Sequence, residues 1–150
     1  MIYWIILLTI IFDQASKALI LADLPLHQTF PICPFFNLFF TMNKGVSFSF
    51  LTSDSPLMPW LLSGFALAVC GLLGYWIAHE KDKETRIGLA LVLGGALGNV
   101  IDRIRFGAVI DFLDFYIDTY HWPAFNIADS AICIGVVLII IKSFRKKEKK

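Results

Sequence analysis

The chain has 150 residues, of which 57% are hydrophobic and 17% charged, with a formal net charge of +1 and a mean hydropathy of +0.71. Soluble domains carry about 25% charged residues, so a water-soluble core is excluded and one membrane domain covering residues 1–150 is expected. The total charge says nothing by itself about a partner; its distribution says more, and no nucleic-acid partner is expected because anionic lipid and topology explain the basic C-terminal tail more simply.

Residues 2–20 form the first apolar stretch, just long enough for a helix of about 20 residues to cross a bilayer. It carries Asp13 and Lys17, has neither a basic leader nor a small-residue cleavage site, and reads as a retained anchor. Residues 21–56 hold Pro25, Pro31 and Pro34, the aromatic run from Phe35 to Met42, a turn at Gly45, and then Val46, Phe48 and Phe50 alternating with serine. Strand propensity in the aromatic run and the alternation predict a small β-sheet, placed on the outer membrane face because open strand edges cannot lie in hydrocarbon. Residues 57–78 are the second span, with Gly71, Gly74 and Ala78 as a candidate close-packing face. After a polar loop over 79–86 comes the third span, 87–104, with Gly94 and Gly98 four apart and Asn99, Asp102 and Arg103 at its end. Residues 105–124 mix Phe, Tyr and Trp with Asp111, Asp114 and Asp118, an amphipathic composition that suits an interfacial segment. The fourth span, 125–144, opens on Asn126 and Asp129, and 145–150 is a basic tail.

The fold class expected is therefore a mainly α membrane protein: four transmembrane helices with a small β-sheet cradle and an interfacial segment on the outer face. Lys81, Lys83, Arg86, Lys142, Arg145, Lys146, Lys147, Lys149 and Lys150 account for nine of the 13 basic residues. The excess of Lys and Arg in the short loop and the tail predicts that both are cytoplasmic, and both termini with them. Cys33, Cys70 and Cys133 are too dispersed for a disulfide framework or a zinc knuckle; Cys70 and Cys133 are expected as buried small apolar residues.

An ionised side chain at membrane depth costs roughly 2.5–3.5 kcal/mol on insertion scales, so it persists where it is paired, wetted or used. Asp13 and Lys17 stand i,i+4 and can pair, Asn99 lies above Asp102 and Arg103, and Asn126 lies above Asp129. Asp102 and Arg103 are expected as a structural ion pair. Asp129 has no basic residue nearby in sequence, and Asp111 sits in a similar apolar setting. Two carboxylates brought together share a proton, and such a pair can act as general acid and general base on a peptide bond. Physics alone leaves the partner of Asp129 open among Asp102, Asp111 and Asp114. No H-E-x-x-H zinc sequence, serine-nucleophile signature or strand-led phosphate loop is present, so neither metal nor cofactor is expected. A proton-coupled transporter using Asp13, Lys17 and Asp129, or a noncatalytic assembly protein, are the other readings.

Five blocks stand in register along the chain: Asp13-Gln-Ala-Ser-Lys17, Asn43-Lys-Gly-Val-Ser-Phe48, Gly94-Gly-Ala-Leu-Gly-Asn-Val-Ile-Asp-Arg103, Val109-Ile-Asp-Phe112 and Trp122-Pro-Ala-Phe-Asn-Ile-Ala-Asp-Ser130. Together they resemble the lipoprotein signal peptidase (signal peptidase II) family of aspartic membrane endopeptidases. The resemblance implies a bacterial inner-membrane enzyme that removes the signal peptide from diacylglyceryl-modified prolipoproteins, cutting immediately before the lipidated cysteine. It implies that Asp111 and Asp129 are the catalytic pair, that Asn99, Arg103 and Asn126 line the substrate site, and that Asp13, Lys17, Asn43 and Asp102 support it. It also implies membrane lipid and globomycin-like cyclic peptide inhibitors as partners and an active site near the outer face. One chain supplies every proposed catalytic group, so a monomer is expected. The family usually has Asn-Thr-Gly-Ala-Ala-Phe in the second block; here Lys44, Val46 and Ser47 add charge and bulk beside the expected groove.

Overall fold

The computed structural model describes residues 1–45 and 57–147, so the strand expected over 46–50, with Val46 and Ser47, lies outside the described residues. Four helices dominate it: α1 (Ile2–Asp23), α2 (Met58–His79), α3 (Lys83–Phe106) and α4 (Ile127–Lys147). Each contains a stretch long and apolar enough to cross a membrane, with mean hydropathies of 1.9, 1.9, 1.5 and 2.2 in chain order. At about 1.5 Å per residue, a helix of some 22 residues reaches across a hydrocarbon layer of about 30 Å.

The least apolar helix is the central one. In α3, 56% of the membrane-length stretch is buried inside the protein, against 17–22% in the other three, and α3 packs on α1, α2 and α4. Protein contact replaces lipid contact there, which is why α3 tolerates Asn99, Asp102 and Arg103. The helix is longer than its apolar run. Asp82 accepts from the Thr85 backbone N–H at 2.9 Å and caps α3 at its start. Gly107, at φ 69°, ends it in the left-handed conformation that glycine adopts without strain.

Small residues set the helix spacing. A Cβ on Gly98 would lie 2.6 Å from an Asp13 carboxylate oxygen, and one on Gly94 would lie 2.9 Å from Thr9 Cβ, so α1 and α3 meet along this face. Among the described residues, the second expected small-residue face makes no close contact: nothing beyond the local helix backbone lies within 4 Å of a Cβ placed on Gly71 or Gly74 of α2.

Four strands form one antiparallel sheet, β1 (Thr29–Cys33), β2 (Phe36–Asn43), β3 (Val109–Ile117) and β4 (Tyr120–His121), in the order β1-β2-β3-β4. The aromatic run is β2, as its propensity predicts, but its partners come from residues 29–33 and from the segment expected to lie along the interface. That segment extends because both its edges are taken. β2 pairs with it through Asn43↔Val109, Thr41↔Asp111 and Asn37↔Asp114, and Phe125 exchanges backbone bonds with Leu113 on the other side at 2.8 and 3.1 Å. Ile20, Phe40, Ile110 and Phe112 form the apolar cluster that seats the sheet on the end of α1.

Gly98→Ala is expected to destabilise the protein by about 1–3 kcal/mol through overpacking against Asp13. Gly71→Ala is expected to be neutral or to stabilise by up to about 1 kcal/mol, because it removes helix entropy without a clash. Thermal unfolding of both variants in detergent checks the contrast; equal effects would show that α1 and α3 are not in close contact at Gly98.

Candidate active site

The site rests on a buried charge cluster between α1 and α3. Lys17 Nζ lies 2.8 Å from Asp13 Oδ2, 2.6 Å from Asp102 Oδ2 and 3.2 Å from Asn99 Oδ1, so each of its three protons has an acceptor. Asp13, Lys17 and Asp102 are 0%, 1% and 0% exposed. The free lone pairs are used as well. Asp13 Oδ1 accepts from the Ala128 N–H at 2.9 Å, an otherwise unpaired donor in the first turn of α4. Asp102 accepts from Gln14 Nε2 at 2.8 Å and from the Ile110 N–H at 3.2 Å. Three helices and the start of β3 are tied to one ammonium group.

The expected Asp102–Arg103 ion pair does not form. Consecutive helix residues point to different faces, so Asp102 turns inward to Lys17 while Arg103 Nη1 reaches the Asn99 backbone oxygen at 3.5 Å. Gln14, absent from the expected set, joins the cluster through Asp13, Asp102 and the Gly98 carbonyl. Its place inside the first sequence block, beside Asp13, was the available signal.

From this cluster a chain of amides leads to two further carboxylates. Because an ammonium only donates, Lys17 requires the oxygen of Asn99 to face it, and the Asn99 nitrogen then donates to Asp129 Oδ1 at 2.8 Å. Asn126 precedes α4 and caps it: its side-chain oxygen accepts from the Asp129 N–H at 2.9 Å, and Asp129 Oδ2 accepts from the Asn126 N–H at 3.2 Å. This reciprocal arrangement is a capping box with a short acid at its third position. With its oxygen so engaged, Asn126 Nδ2 donates to Asp111 Oδ1 at 2.7 Å, and also meets Asn99 Oδ1 and the Ile110 carbonyl at 3.2 Å. Asn43, at the end of β2, donates to Asp111 Oδ2 at 3.0 Å.

Asp111 on β3 and Asp129 on α4 line the same groove, a cavity of about 1230 Å³ walled by the sheet and by α4. The pairing of Phe125 with β3 sets Asn126 beside Asp111 and so delivers the first turn of α4 to the strand. Burial first, and then the charge of Asp129, push the Asp111 carboxyl up, the bonds from Asn43 and Asn126 oppose the rise, and the net value is about 7. Two acidic groups that repel each other in a shared groove can hold one proton between them, the arrangement that acid–base hydrolysis requires. Asp114, the third candidate partner of Asp129, binds His121 and Asn37 instead. Lys44 is exposed and lines the groove beside Asn43. Cys70 is buried, whereas Cys133 is exposed and lines the groove, because among the described residues no helix covers that side of α4.

Lys17→Met leaves two buried carboxylates without a cation and releases Asn99, so a loss of about 3–5 kcal/mol is expected. Folded yield and thermal unfolding in detergent measure it; a variant as stable as the parent would show that the cluster does not hold the helices together.

Comparison with known proteins agrees with this fold. Residues 5–145 match the family described as Signal peptidase (SPase) II. The chain is 46% identical over 150 residues to the lipoprotein signal peptidase of Shewanella sediminis, covering 99% of this chain and 85% of that protein. It is 45% identical over 149 residues to the lipoprotein signal peptidase of Vibrio cholerae, covering 97% and 87%. A solved structure described as a bacterial membrane enzyme, at 2.3 Å resolution, superposes with a TM-score of 0.89 at 31% identity, over 99% of this chain and 90% of that one. A match over almost the whole length, in sequence and in fold, places this chain in the signal peptidase II family of membrane peptidases.

Proposed function

We propose that the protein removes signal peptides from diacylglyceryl-modified prolipoproteins by cutting immediately before the lipidated cysteine, with Asp111 and Asp129 as the catalytic pair. The observation that carries this reading is the groove itself, where two carboxylates from a strand and a helix face one space and each accepts two N–H donors. The relatives named lipoprotein signal peptidase supply the substrate class.

In the mechanism, Asp129 is the resting base and Asp111 holds the proton. Asp111 is buried within a strand, and its carboxyl, pushed up to about 7, keeps its proton to near neutrality. Water between them attacks the scissile carbonyl carbon and gives a proton to Asp129, and Asp111 protonates the carbonyl oxygen. On collapse the C–N bond breaks, the leaving amine takes the proton from Asp129, and Asp111 recovers its own from the intermediate hydroxyl. Asn99 and Asn126 orient the pair, Asn43 and Asp102 support it with Asp13 and Lys17, and Arg103 offers a fork of donors to substrate carbonyls. The acyl chains stay in lipid against α4, so their apolar surface never enters water. Globomycin-like cyclic peptides would occupy the same groove.

The protein sits in the bacterial inner membrane as a monomer. The α2–α3 connection and the basic C-terminal end face the cytoplasm, and the sheet with its groove lies at the outer surface, where water meets a membrane-held substrate.

Asp111→Asn and Asp129→Asn should each lower cleavage of a diacylglyceryl-modified prolipoprotein in detergent by about 10²–10⁴-fold while leaving the protein folded. The unlipidated form should be a poor substrate. Near-normal cleavage by either variant would remove that residue from the chemistry.

Turnover should fall as pH rises through about 7, where Asp111 loses its proton. The Asn43 bond lowers that value, so Asn43→Ala should move the alkaline limb to higher pH. A limb that stays in place, or moves down, would show that Asp111 does not set it. The raised Asp111 value also has a stability consequence: its contribution is complete below the ordinary carboxylate range and is lost as pH rises through about 7.

A further inference from the structure

We propose that His121 reads a hydrogen-bond-donating side chain of the substrate on the mature side of the scissile bond, and that Asp114 and Asn37 hold it in the tautomer that does so. This rests on the peptidase reading above.

Asp114 is a buried carboxylate that the cleavage chemistry does not use. Its side chain is 6% exposed, and among the described residues its one titratable partner is His121, whose side chain is 51% exposed. The contrast with Asp13 and Asp102 is informative, because those two share a permanent ammonium. A buried acid held only by an imidazole and an amide gains little stability over an apolar pair of similar size, so a purely structural staple is a poor account of it.

The geometry fixes what the ring presents. His121 Nδ1 lies 2.9 and 3.0 Å from the two Asp114 oxygens, and Asn37 Nδ2 donates to Asp114 Oδ2 at 3.0 Å. A carboxylate accepts, so a proton sits on Nδ1, and in the neutral imidazole Nε2 then keeps its lone pair. The ring stacks on Tyr116 at 5.0 Å between centroids and 14° between planes. The Tyr116↔His121 pairing and the Trp122 N–H to Phe115 carbonyl bond at 2.8 Å hold the β3–β4 hairpin that carries it. Half the imidazole is thus open to solvent on a rigid mount, as an oriented acceptor.

Its position gives the part of the substrate it meets. His121 and Asp114 line the same groove as Asp111 and Asp129. Asp114 stands three residues beyond Asp111 on β3, roughly 10 Å at about 3.3 Å per strand residue, which is also the span of about three residues of extended substrate. In the other direction the groove runs along α4 past Ile132 and Cys133, toward the membrane-spanning part of that helix. The apolar signal peptide and the acyl chains belong at that end. The polar end, with His121, receives the chain that follows the lipidated cysteine.

The test uses the full-length enzyme in detergent and diacylglyceryl-modified prolipoproteins carrying serine or alanine, one site at a time, at the second to fourth residues after the cut. The parent enzyme should prefer serine at one of these sites by about three- to tenfold in kcat/KM, the size of one net hydrogen bond. His121→Phe, which keeps a ring without an acceptor, should bring that ratio to one. His121→Gln, which offers an oxygen near the place of Nε2, should retain part of it. Asp114→Asn, which releases the proton to Nε2, should reduce it. Thermal unfolding of each variant runs alongside, and if His121→Phe does not fold, the ratios of the other two variants decide. A serine preference that survives in all folded variants overturns the proposal, as does a parent enzyme with no preference at any of the three sites. Cleavage without selectivity defeats only this inference; a parent enzyme that cleaves none of the lipidated substrates defeats the peptidase reading with it.

Discussion

The Lys17 ammonium, clasped between Asp13 and Asp102 with no access to water, is the constraint on which the rest of the molecule depends. A charge at membrane depth must be met on every side, and here each proton finds an acceptor while the remaining lone pairs bind backbone N–H groups of α4 and β3. The requirement is geometric as well as electrostatic. It sets the rotation of α1 against α3, and it demands the close approach that Gly98 permits. It also supplies an acceptor for one of the unpaired donors at the start of α4. Helix packing in lipid lacks the hydrophobic drive available in water, so polar contacts and small-residue faces carry more of the specificity.

The same ammonium orders the groove from a distance. An asparagine amide can be turned either way until a neighbour that only donates fixes it. Lys17 does this for Asn99, and the backbone at the start of α4 does it for Asn126. The outcome is a set of N–H groups aimed at Asp129 and Asp111 in advance of any substrate. Pre-aimed donors need no reorganisation during a reaction, which is the physical value of building a site on packed elements rather than on loops. Burial and the charge of Asp129 push the Asp111 carboxyl up, the Asn43 and Asn126 donors push it down, and the balance leaves it near neutrality.

The sheet adds the outer wall. Its third strand leaves α3 through Gly107, pairs with the aromatic β2, and accepts the chain that leads into α4. One strand therefore carries Asp111 at the buried end and Asp114 toward the hairpin, with the groove running past both. β3 is paired with β2 on one side and with Phe125 and β4 on the other, so the strand that carries the acids lies inside the sheet and β1 takes the edge.

Much of the architecture was legible in the residues. Four apolar stretches of bilayer length, the basic residues gathered at one side, and the i,i+4 spacing of Asp13 and Lys17 depend on local periodicity and on composition, which a linear string displays directly. The sequence blocks also singled out Asp111 and Asp129. Other features depended on which segments meet. The Asp102–Arg103 pair was inferred from adjacency, but adjacent residues on a helix diverge, and only the packing of α1 against α3 turned Asp102 to Lys17. Gly71 and Gly74 carry the same small-residue signal as Gly94 and Gly98, yet among the described residues only the latter pair meets a partner. Residues 109–117 look amphipathic as a string and become a strand because β2 and Phe125 are there to pair with them. Asn37, Asp114 and His121 are scattered along the chain and gather only through strand register. Local order along the chain determined the spans and the candidate acids; long-range pairing decided their neighbours, because burial, charge and hydrogen bonding act between atoms close in space, however far apart they lie in sequence.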